Sequence, residues 1–345
     1  MTNQHEITKR MPLLNREGNL TEPGWARGLL WDYHRPDIRA SGMRIKEWDY
    51  YFVSNGHIGL ALTIADNGYM GLDSVSYLDF DEKWEITKSP MRLLPMGKTA
   101  LPETSAAGSS EIARGGYALA FYHDDDGTRK LTFHMDKFRE KDAIEGMISL
   151  SDEPAESMVI ATPFGKAGHF YYNQKINCMR ASGWIELGGA RVELDPKTWF
   201  AVLDWGRGVW TYHNTWYWGS ASGELDGVPF GWNIGYGFGD TSAASENVLF
   251  YGGKIHKLSQ VRFEIPMQDG EENYLAPWRF SSDDGRFEMA FTPILNRAAY
   301  TSVGVIKSDQ NQVFGRFTGT AALDDGTVLQ VNDFFGFAEK VENKW

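Results

Sequence analysis

The sequence is almost free of cysteine and has no long apolar run. Of its 345 residues only Cys178 is a cysteine, which excludes a disulfide framework or a cysteine-based metal site within one chain. No window approaches the ~20 apolar residues that a membrane helix needs. The first six residues have neither the basic region nor the apolar core of a signal peptide. We therefore expect no stable membrane insertion and a reduced, cytoplasmic setting.

Positive charge is also scarce, since 34 Lys and Arg stand against 46 Asp and Glu, for a formal net charge of −12. An acidic surface repels phosphate backbones, which argues against nucleic acid as a partner, and it disfavours docking on anionic lipid surfaces. Common catalytic motifs are missing as well: the sequence has no Gly-x-Ser-x-Gly elbow, His-Glu-x-x-His helix or P-loop. We expect no cofactor and no metal ion.

Aromatic residues and glycine are abundant, with 13 Trp, 15 Tyr, 20 Phe and 37 Gly. This combination is typical of twisted sheets and barrels. Short runs of high β-propensity alternate with turn signals, as in Trp48–Ser54, Asn55-Gly56 and His57–Ala65. The spacing predicts an all-β chain of antiparallel barrels or sandwiches, preceded by an irregular arm over residues 1–43.

An internal repeat indicates two similar halves. A shift of 168 positions, which superposes Trp48 on Trp216, also superposes Ser54 on Ser222. Both segments are aromatic strands that end in a serine, with a glycine-containing turn close behind. We therefore predict an N-terminal domain over residues 1–195, including the arm, and a C-terminal domain over residues 196–345.

Candidate catalytic residues lie at the start of the second half. Asp204 follows an apolar run, and an aromatic enclosure would raise the pKa of its carboxyl and make it a general acid. Alternatively, Asp204 forms a partly buried ion pair with Arg207 that fixes the loop between the halves. Tyr212 and His213 follow, and a histidine can donate or accept a proton near neutral pH.

Candidate ligand-binding residues lie on the strand after His213. Alternation places Trp216, Trp218, Ser220 and Ser222 on one face, which is apolar with a few polar anchors, as ligand pockets usually are. The alternative is ordinary core packing. The remaining candidates for ligand contact come from the first half, from the segment after Asp204 and from a later turn: Trp48, Tyr50, Trp205, Arg207 and Asp240.

Several motifs in order resemble a bacterial family known as domain of unknown function 2804. They are Gly24-Trp25-Ala26, Lys46–Tyr51, Ala65–Gly71, Asp204–Gly208, Trp216–Gly223 and Gly336–Glu339. That family is similar to the calycin group of AttH-like proteins, carotenoid 1,2-hydratases and tocopherol cyclases. The resemblance implies two lipocalin-like antiparallel β-barrels packed side by side. The group's usual Asp-His/Glu-Gln/Trp-Gly element reads here as Asp204-Trp205-Gly206-Arg207.

Three functions stay open. The resemblance implies an enzyme that hydrates, isomerises or cyclises a hydrophobic, isoprenoid-like molecule without a cofactor, with Asp204 supplying the proton and tryptophans stabilising a carbocation. A non-catalytic carrier or sensor of a hydrophobic metabolite would have a similar aromatic lining. A carbohydrate-active enzyme would need a carboxylate pair, for which Asp204, Glu224, Asp226 and Asp240 are available.

Overall fold

The computed structural model describes residues 4–124, 126–303 and 306–344. The predicted all-β fold is confirmed, because helix in these residues is limited to two short 3-10 turns, Arg35–Asp37 and Gly42–Arg44. Across the same ranges no helix has the length and apolar character needed to cross a membrane.

The first half contains sixteen of the described strands. They are β1 (Met11–Pro12), β2 (Gly24–Ala26), β3 (Trp31–Asp32), β4 (Ile45–Ser54), β5 (Ile58–Asp66), β6 (Met70–Asp79), β7 (Trp84–Lys88), β8 (Met91–Leu93), β9 (Gly108–Arg114), β10 (Tyr117–His123), β11 (Arg129–Arg139), β12 (Asp142–Ser151), β13 (Met158–Pro163), β14 (Phe170–Leu187), β15 (Ala190–Leu194) and β16 (Phe200–Val209).

The second half contains the other strands. They are β17 (His213–Leu225), β18 (Val228–Tyr236), β19 (Val248–Tyr251), β20 (Lys254–Lys257), β21 (Val261–Glu264), β22 (Met267–Gln268), β23 (Glu271–Glu272), β24 (Trp278–Ser282), β25 (Phe287–Val303), β26 (Ile306–Ala322) and β27 (Val328–Lys344).

The two large antiparallel sheets share one strand order. The first runs β7-β6-β5-β4-β16-β14-β12-β11-β10-β9, and the second runs β20-β19-β18-β17-β27-β26-β25-β24-β21. Each sheet begins with four consecutive strands that form a meander, β4 to β7 in the first and β17 to β20 in the second. The first strand of each meander, β4 or β17, pairs with the last strand of its half, β16 or β27. Residues of β5 approach β9, and residues of β18 approach β21, so each sheet curls round its own core. The predicted pair of lipocalin-like barrels is confirmed.

The chain passes from the first sheet to the second between Val209 and His213. Strand β16 pairs with both β4 and β14 of the first sheet, and β17 is the first strand of the second. The predicted boundary between residues 195 and 196 lies ahead of β16. In the N-terminal arm, β1 and β3 form a small parallel pair and β2 pairs with β13. Residues 1–3 and 345 of the predicted domains lie outside the described residues.

The two sheets also pack against each other, so their central strands are buried on both faces. All ten residues of β16 are buried, and so are nine of the ten in β4. Alternation directs one set of side chains into the barrel and the other set toward the facing sheet. The residues between the sheets are largely aromatic and include Tyr50, Phe52, Val202, Trp218, Phe314 and Phe337.

We predict that Phe317→Ala lowers the free energy of unfolding by about 3–5 kcal/mol, because it leaves a cavity in a closely packed core. Phe317 is fully buried in the second barrel, and its ring centroid lies 4.4 Å from that of Phe291 and 5.1 Å from that of Trp232. Urea unfolding measures the change. Val328→Ala, at a side chain 57% exposed, is the control and should stay within about 0.5 kcal/mol of the parent. Equal losses in the two variants would contradict the assignment of this core.

Candidate active site between the two sheets

A carboxylate of the first sheet lies at the centre of the interface. Asp204 of β16 has Tyr50 of β4 as its cross-strand neighbour on one side and Lys175 of β14 on the other. We call these three residues the first triplet. Lys175 Nζ lies 2.9 Å from Asp204 Oδ1, and Asn173 Nδ2 donates to the same oxygen at 2.6 Å. All are buried, so this carboxylate is compensated by a cation in direct contact.

The second sheet carries a carboxylate at the equivalent place. Glu339 of β27 lies between Trp218 of β17 and Gln312 of β26, which form the second triplet with it. Trp216 Nε1 donates to Glu339 Oε1 at 2.8 Å, and Gln312 Nε2 donates to Oε2 at 3.1 Å. Both direct partners are neutral. Burial is therefore the largest influence, and it raises the pKa of Glu339 to about 7.

The two triplets occupy equivalent positions in the strand order of the two sheets, on β4, β16 and β14 in the first and on β17, β27 and β26 in the second. The shift that superposes Trp48 on Trp216 also superposes Tyr50 on Trp218, and each of these is the neighbour of its sheet's carboxylate. On the other side of the carboxylate the equivalent residues are lysine in one half and glutamine in the other. Two carboxyl groups in matching positions thus have different partners, a cation beside Asp204 and neutral hydrogen-bond donors beside Glu339.

Direct contacts join the triplets across the interface. The rings of Tyr50 and Trp218 meet edge to face with centroids 5.9 Å apart, and Lys175 Nζ lies 3.9 Å from the Trp218 ring centroid. Gln312 Nε2 reaches the Tyr50 hydroxyl at 3.5 Å. The six side chains therefore form one continuous cluster.

Glu246 adds a third carboxyl group at the edge of this cluster. Its Oε2 accepts from Asn233 Nδ2 at 3.3 Å, and Asn233 Oδ1 accepts from Trp218 Nε1 at 2.7 Å. Burial raises the pKa of Glu246, and the charge of Asp204 acts in the same direction while Lys175 opposes both. Lys175 thus acts on all three carboxyl groups, while Arg297 acts on Glu339 and Lys257 on Glu246.

An open cleft of about 300 Å³ leads to the cluster from one end of the interface. On each of four strands, a residue that lines the cleft lies two positions from a residue of the triplets. Residues two apart on a strand share a face and lie about 7 Å from each other, so the cluster is the next layer inward from the cleft. The pairs are Phe52 with Tyr50, Val202 with Asp204, Ser220 with Trp218, and Phe337 with Glu339.

A tryptophan covers the cluster at the other end. Trp48 lies one layer beyond Tyr50, stacks on Tyr171 with ring centroids 6.2 Å apart, and packs over Gly206. A Cβ added at Gly206 would lie only 1.9 Å from the Trp48 ring. The glycine of Asp204-Trp-Gly-Arg therefore makes room for the ring that separates the cluster from solvent.

Several predicted residues come together at this place. Asp204, Tyr50 and Trp218 belong to the triplets, and the Trp216 indole donates to Glu339. Two further predicted residues, Ser220 and Ser222, line the cleft, and both hydroxyls accept from Asn177 Nδ2, at 2.8 and 3.3 Å.

Other predicted residues lie elsewhere. Trp205 and Arg207 face the interior of the first barrel, where Arg207 Nη1 pairs with Asp49 at 3.0 Å and the guanidinium lies 4.2 Å from the Trp205 ring centroid. The alternative of an Asp204–Arg207 ion pair is therefore wrong. Residues three positions apart on one strand point to opposite faces of the sheet.

Tyr212, His213 and Asp240 are exposed. Tyr212 and His213 lie at the start of β17, and His213 Nε2 is 3.3 Å from the carboxylate of Glu342. Asp240 lies in a turn, where its Oδ1 accepts from the Ser242 amide and this hydrogen bond lowers the pKa of the carboxyl. None of these three lines the described cleft.

Sequence reasoning missed Lys175, Gln312, Glu339 and Glu246. One signal for two of them was present: Lys175 interrupts the otherwise uncharged run Phe170–Met179, and Glu339 directly follows the apolar run Phe334–Ala338. A charge that interrupts a strand buried on both faces needs a specific partner or function. Across the described residues no three His, Cys, Asp or Glu side chains are arranged to hold a metal ion.

Comparison with known proteins identifies a family and a fold. Residues 4–345 match the family described as Domain of unknown function (DUF2804). No curated protein matches the chain. An AttH-like protein from Nitrosomonas europaea is similar in structure, with a TM-score of 0.52 at 14% identity over 86% of this chain and 92% of that one. Kievitone hydratase from Nectria haematococca gives a TM-score of 0.55 at 9% identity over 97% and 98%. At such identities the likeness shows the fold.

We predict that Glu339→Gln removes a pH dependence of stability. The folded state holds the Glu339 proton more tightly than the unfolded chain, so stability is lost as the pH rises from about 4.5 to about 7. The free energy of unfolding falls by about 3 kcal/mol over this range, and the variant, whose amide is neutral, should show no such fall. Gln312 Oε1, which has no hydrogen-bond partner among the described residues, can accept from the new amide after its own side chain rotates.

Urea unfolding at pH 5 and pH 8 measures this difference. Glu288→Gln, which removes an exposed carboxyl group of β25, is the control and should follow the parent. If Glu339→Gln has the same pH dependence as the parent, the carboxyl of Glu339 does not hold its proton near neutral pH.

Proposed function

The chain belongs to the DUF2804 family, and from its site we propose that it binds a hydrophobic small molecule in the inter-sheet cleft and transforms it by acid–base catalysis at the two triplets. The observation that carries this proposal is the pair of equivalent carboxyl groups, Asp204 and Glu339, with different partners, one layer inward from a cleft whose wall mixes aromatic rings with polar side chains. Hydration of a carbon–carbon double bond, or the reverse elimination, is the reaction that suits them best.

The two carboxyl groups take complementary roles in this reaction. Glu339, which retains its proton up to about pH 7, protonates one carbon of the double bond. Water adds to the other carbon and gives up its own proton to Asp204, which is paired with Lys175. A return of that proton to Glu339 through solvent restores the starting state, and no oxidant or reductant is consumed.

The surroundings favour a positively charged transition state. The carboxylate of Asp204 lies on the same interface as Glu339, so its negative charge would stabilise a carbocation that develops between them. The ring of Tyr50, next to Asp204, provides a π-face for the same charge. A protein of similar fold is by name a hydratase, which supports hydration as the reaction class.

The other functions fit the site less well. A non-catalytic carrier would use the cleft but leaves the buried acid–base cluster without a role. Of the carboxyl groups that could pair with Asp204 in a carbohydrate-active enzyme, Glu224 lies at the rim paired with Arg180, and Asp226 and Asp240 are exposed in turns, so none of these three belongs to the cluster.

We predict that turnover depends on Glu339 and Asp204 and falls above about pH 7, as Glu339 loses its proton. The purified protein is incubated with a panel of prenylated and phenolic alkenes in ¹⁸O-labelled water, and mass spectrometry detects products that gain one labelled water. Glu339→Gln and Asp204→Asn should each lower turnover by about 10²–10⁴-fold. Gln312→Lys places beside Glu339 the cation that Asp204 already has, and should move the descending limb to lower pH.

Glu288→Gln again serves as the control and should leave the profile unchanged. A profile that Gln312→Lys does not move would exclude Glu339 as the acid. Native mass spectrometry separates the carrier alternative: a molecule that stays bound, unchanged, to the parent and to Glu339→Gln alike would favour carriage over catalysis.

A further inference from the structure

A group of exposed apolar side chains lies on the first barrel, beyond the end of β4 that is remote from the cleft. Five of the eleven exposed large apolar residues among those described are here: Met43, Met91, Leu93, Leu94 and Met96, which are 46%, 68%, 86%, 49% and 40% exposed. We call them the methionine patch. The cleft opens at Ser54–Gly56, the opposite end of this ten-residue strand, about 30 Å away. The patch is therefore separate from the proposed active site.

The turn 67–69 joins the two segments that carry the patch. Met96 donates its amide to Gly68 O at 3.1 Å, and Leu94 donates to Tyr69 O at 2.9 Å. A Cβ on Gly68 would lie 2.5 Å from the backbone of Met43, so this segment packs on the same turn. The five apolar side chains thus come from neighbouring backbone and form one surface.

Buried polar contacts fix the backbone of residues 91–99, so that the apolar side chains of the patch point to solvent. Arg92 points into the barrel and binds Asp73 at 2.7 Å, so Met91 and Leu93 on either side of it point to solvent. Asp66, only 1% exposed, accepts from the Gly97 amide and from Thr99 Oγ1, each at 2.8 Å. Leu94 and Met96 have positive φ of 50° and 48°, which is uncommon for such residues and is kept by these contacts.

The patch lies in the most basic part of an acidic chain. Residues 38–46 and 86–98 contain six Lys and Arg and no Asp or Glu, although the chain as a whole has a net charge of −12. Of these, Arg39, Lys88 and Lys98 are exposed. At physiological ionic strength charges act over a Debye length of about 8 Å, so the local excess of positive charge, rather than the distant acidic surface, governs what approaches.

We propose that the methionine patch and its basic border are a docking surface for an anionic lipid bilayer. Exposed methionine and leucine side chains enter the boundary between head groups and acyl chains, and Lys88 and Lys98, on the segment that carries Met91 to Met96, contact the anionic head groups. Apolar insertion and electrostatic attraction together give the two signals that stable peripheral binding requires. The docking is independent of the reaction at the triplets, and it differs from the expectation that net charge alone gives.

Co-sedimentation of the full chain with phosphatidylcholine vesicles, with and without phosphatidylglycerol, tests the proposal. We expect binding to the vesicles that contain phosphatidylglycerol, and weaker binding without that lipid or in 1 M salt, where the Debye length falls to about 3 Å. The double variant Met91→Glu, Leu93→Glu should reduce binding by about tenfold or more, because it loses two apolar groups and gains two negative charges.

The matched control is the double variant Met147→Glu, Met267→Glu, which changes two methionines that are 49% and 62% exposed outside the patch. It should bind vesicles like the parent, and urea unfolding confirms that both double variants are folded. The proposal would be overturned if the parent chain binds neither kind of vesicle, or if the two double variants bind equally well. Light scattering adds a further outcome: a dimer that only Met91→Glu, Leu93→Glu disrupts, without vesicle binding, would replace the bilayer by a second copy of the chain.

Discussion

A carboxyl group buried between two packed sheets must find compensation or keep its proton, and this constraint governs the centre of the molecule. Strands β16 and β27 each place one carboxyl group there, because both strands lie at the interface. The charge of Asp204 is compensated by Lys175 in direct contact. The hydrogen-bond donors to Glu339 are both neutral, and burial raises its pKa to about 7. The proposed division into acid and base follows from this one difference in partners.

The shape of the site follows from strand alternation. Two strands of the first sheet, β4 and β16, face two strands of the second, β17 and β27. Each strand contributes residues to successive layers, from the cleft through the cluster toward the Trp48 ring. Gly206 is required in the last layer, where any side chain would displace the Trp48 ring. The same alternation sends Trp205 and Arg207 into the first barrel and keeps their polar groups away from the cleft.

The sequence predicts the fold well, because turn signals, alternating apolar residues and ordered motifs are local features. It also predicts the place of Asp204 and the shared face of Trp218 and Ser220. The partners of Asp204 and Glu339 could not be predicted, because they depend on the register of long strands. Lys175 reaches Asp204 through a pairing that continues across an irregularity between Ile176 and Met179. A shift of one residue in the pairing of β14 with β16 would have turned the Lys175 side chain to the face opposite Asp204.

The equivalence of the two triplets has a consequence for how such a site can arise. If a single barrel formed a symmetric homodimer, every contact would occur twice, and a substitution beside one carboxylate would appear beside its mate as well. Joining two copies in one chain removes that restriction, because position 175 can become lysine while position 312 becomes glutamine. Covalent linkage thus permits the symmetry breaking by which two matching carboxyl groups acquire different partners.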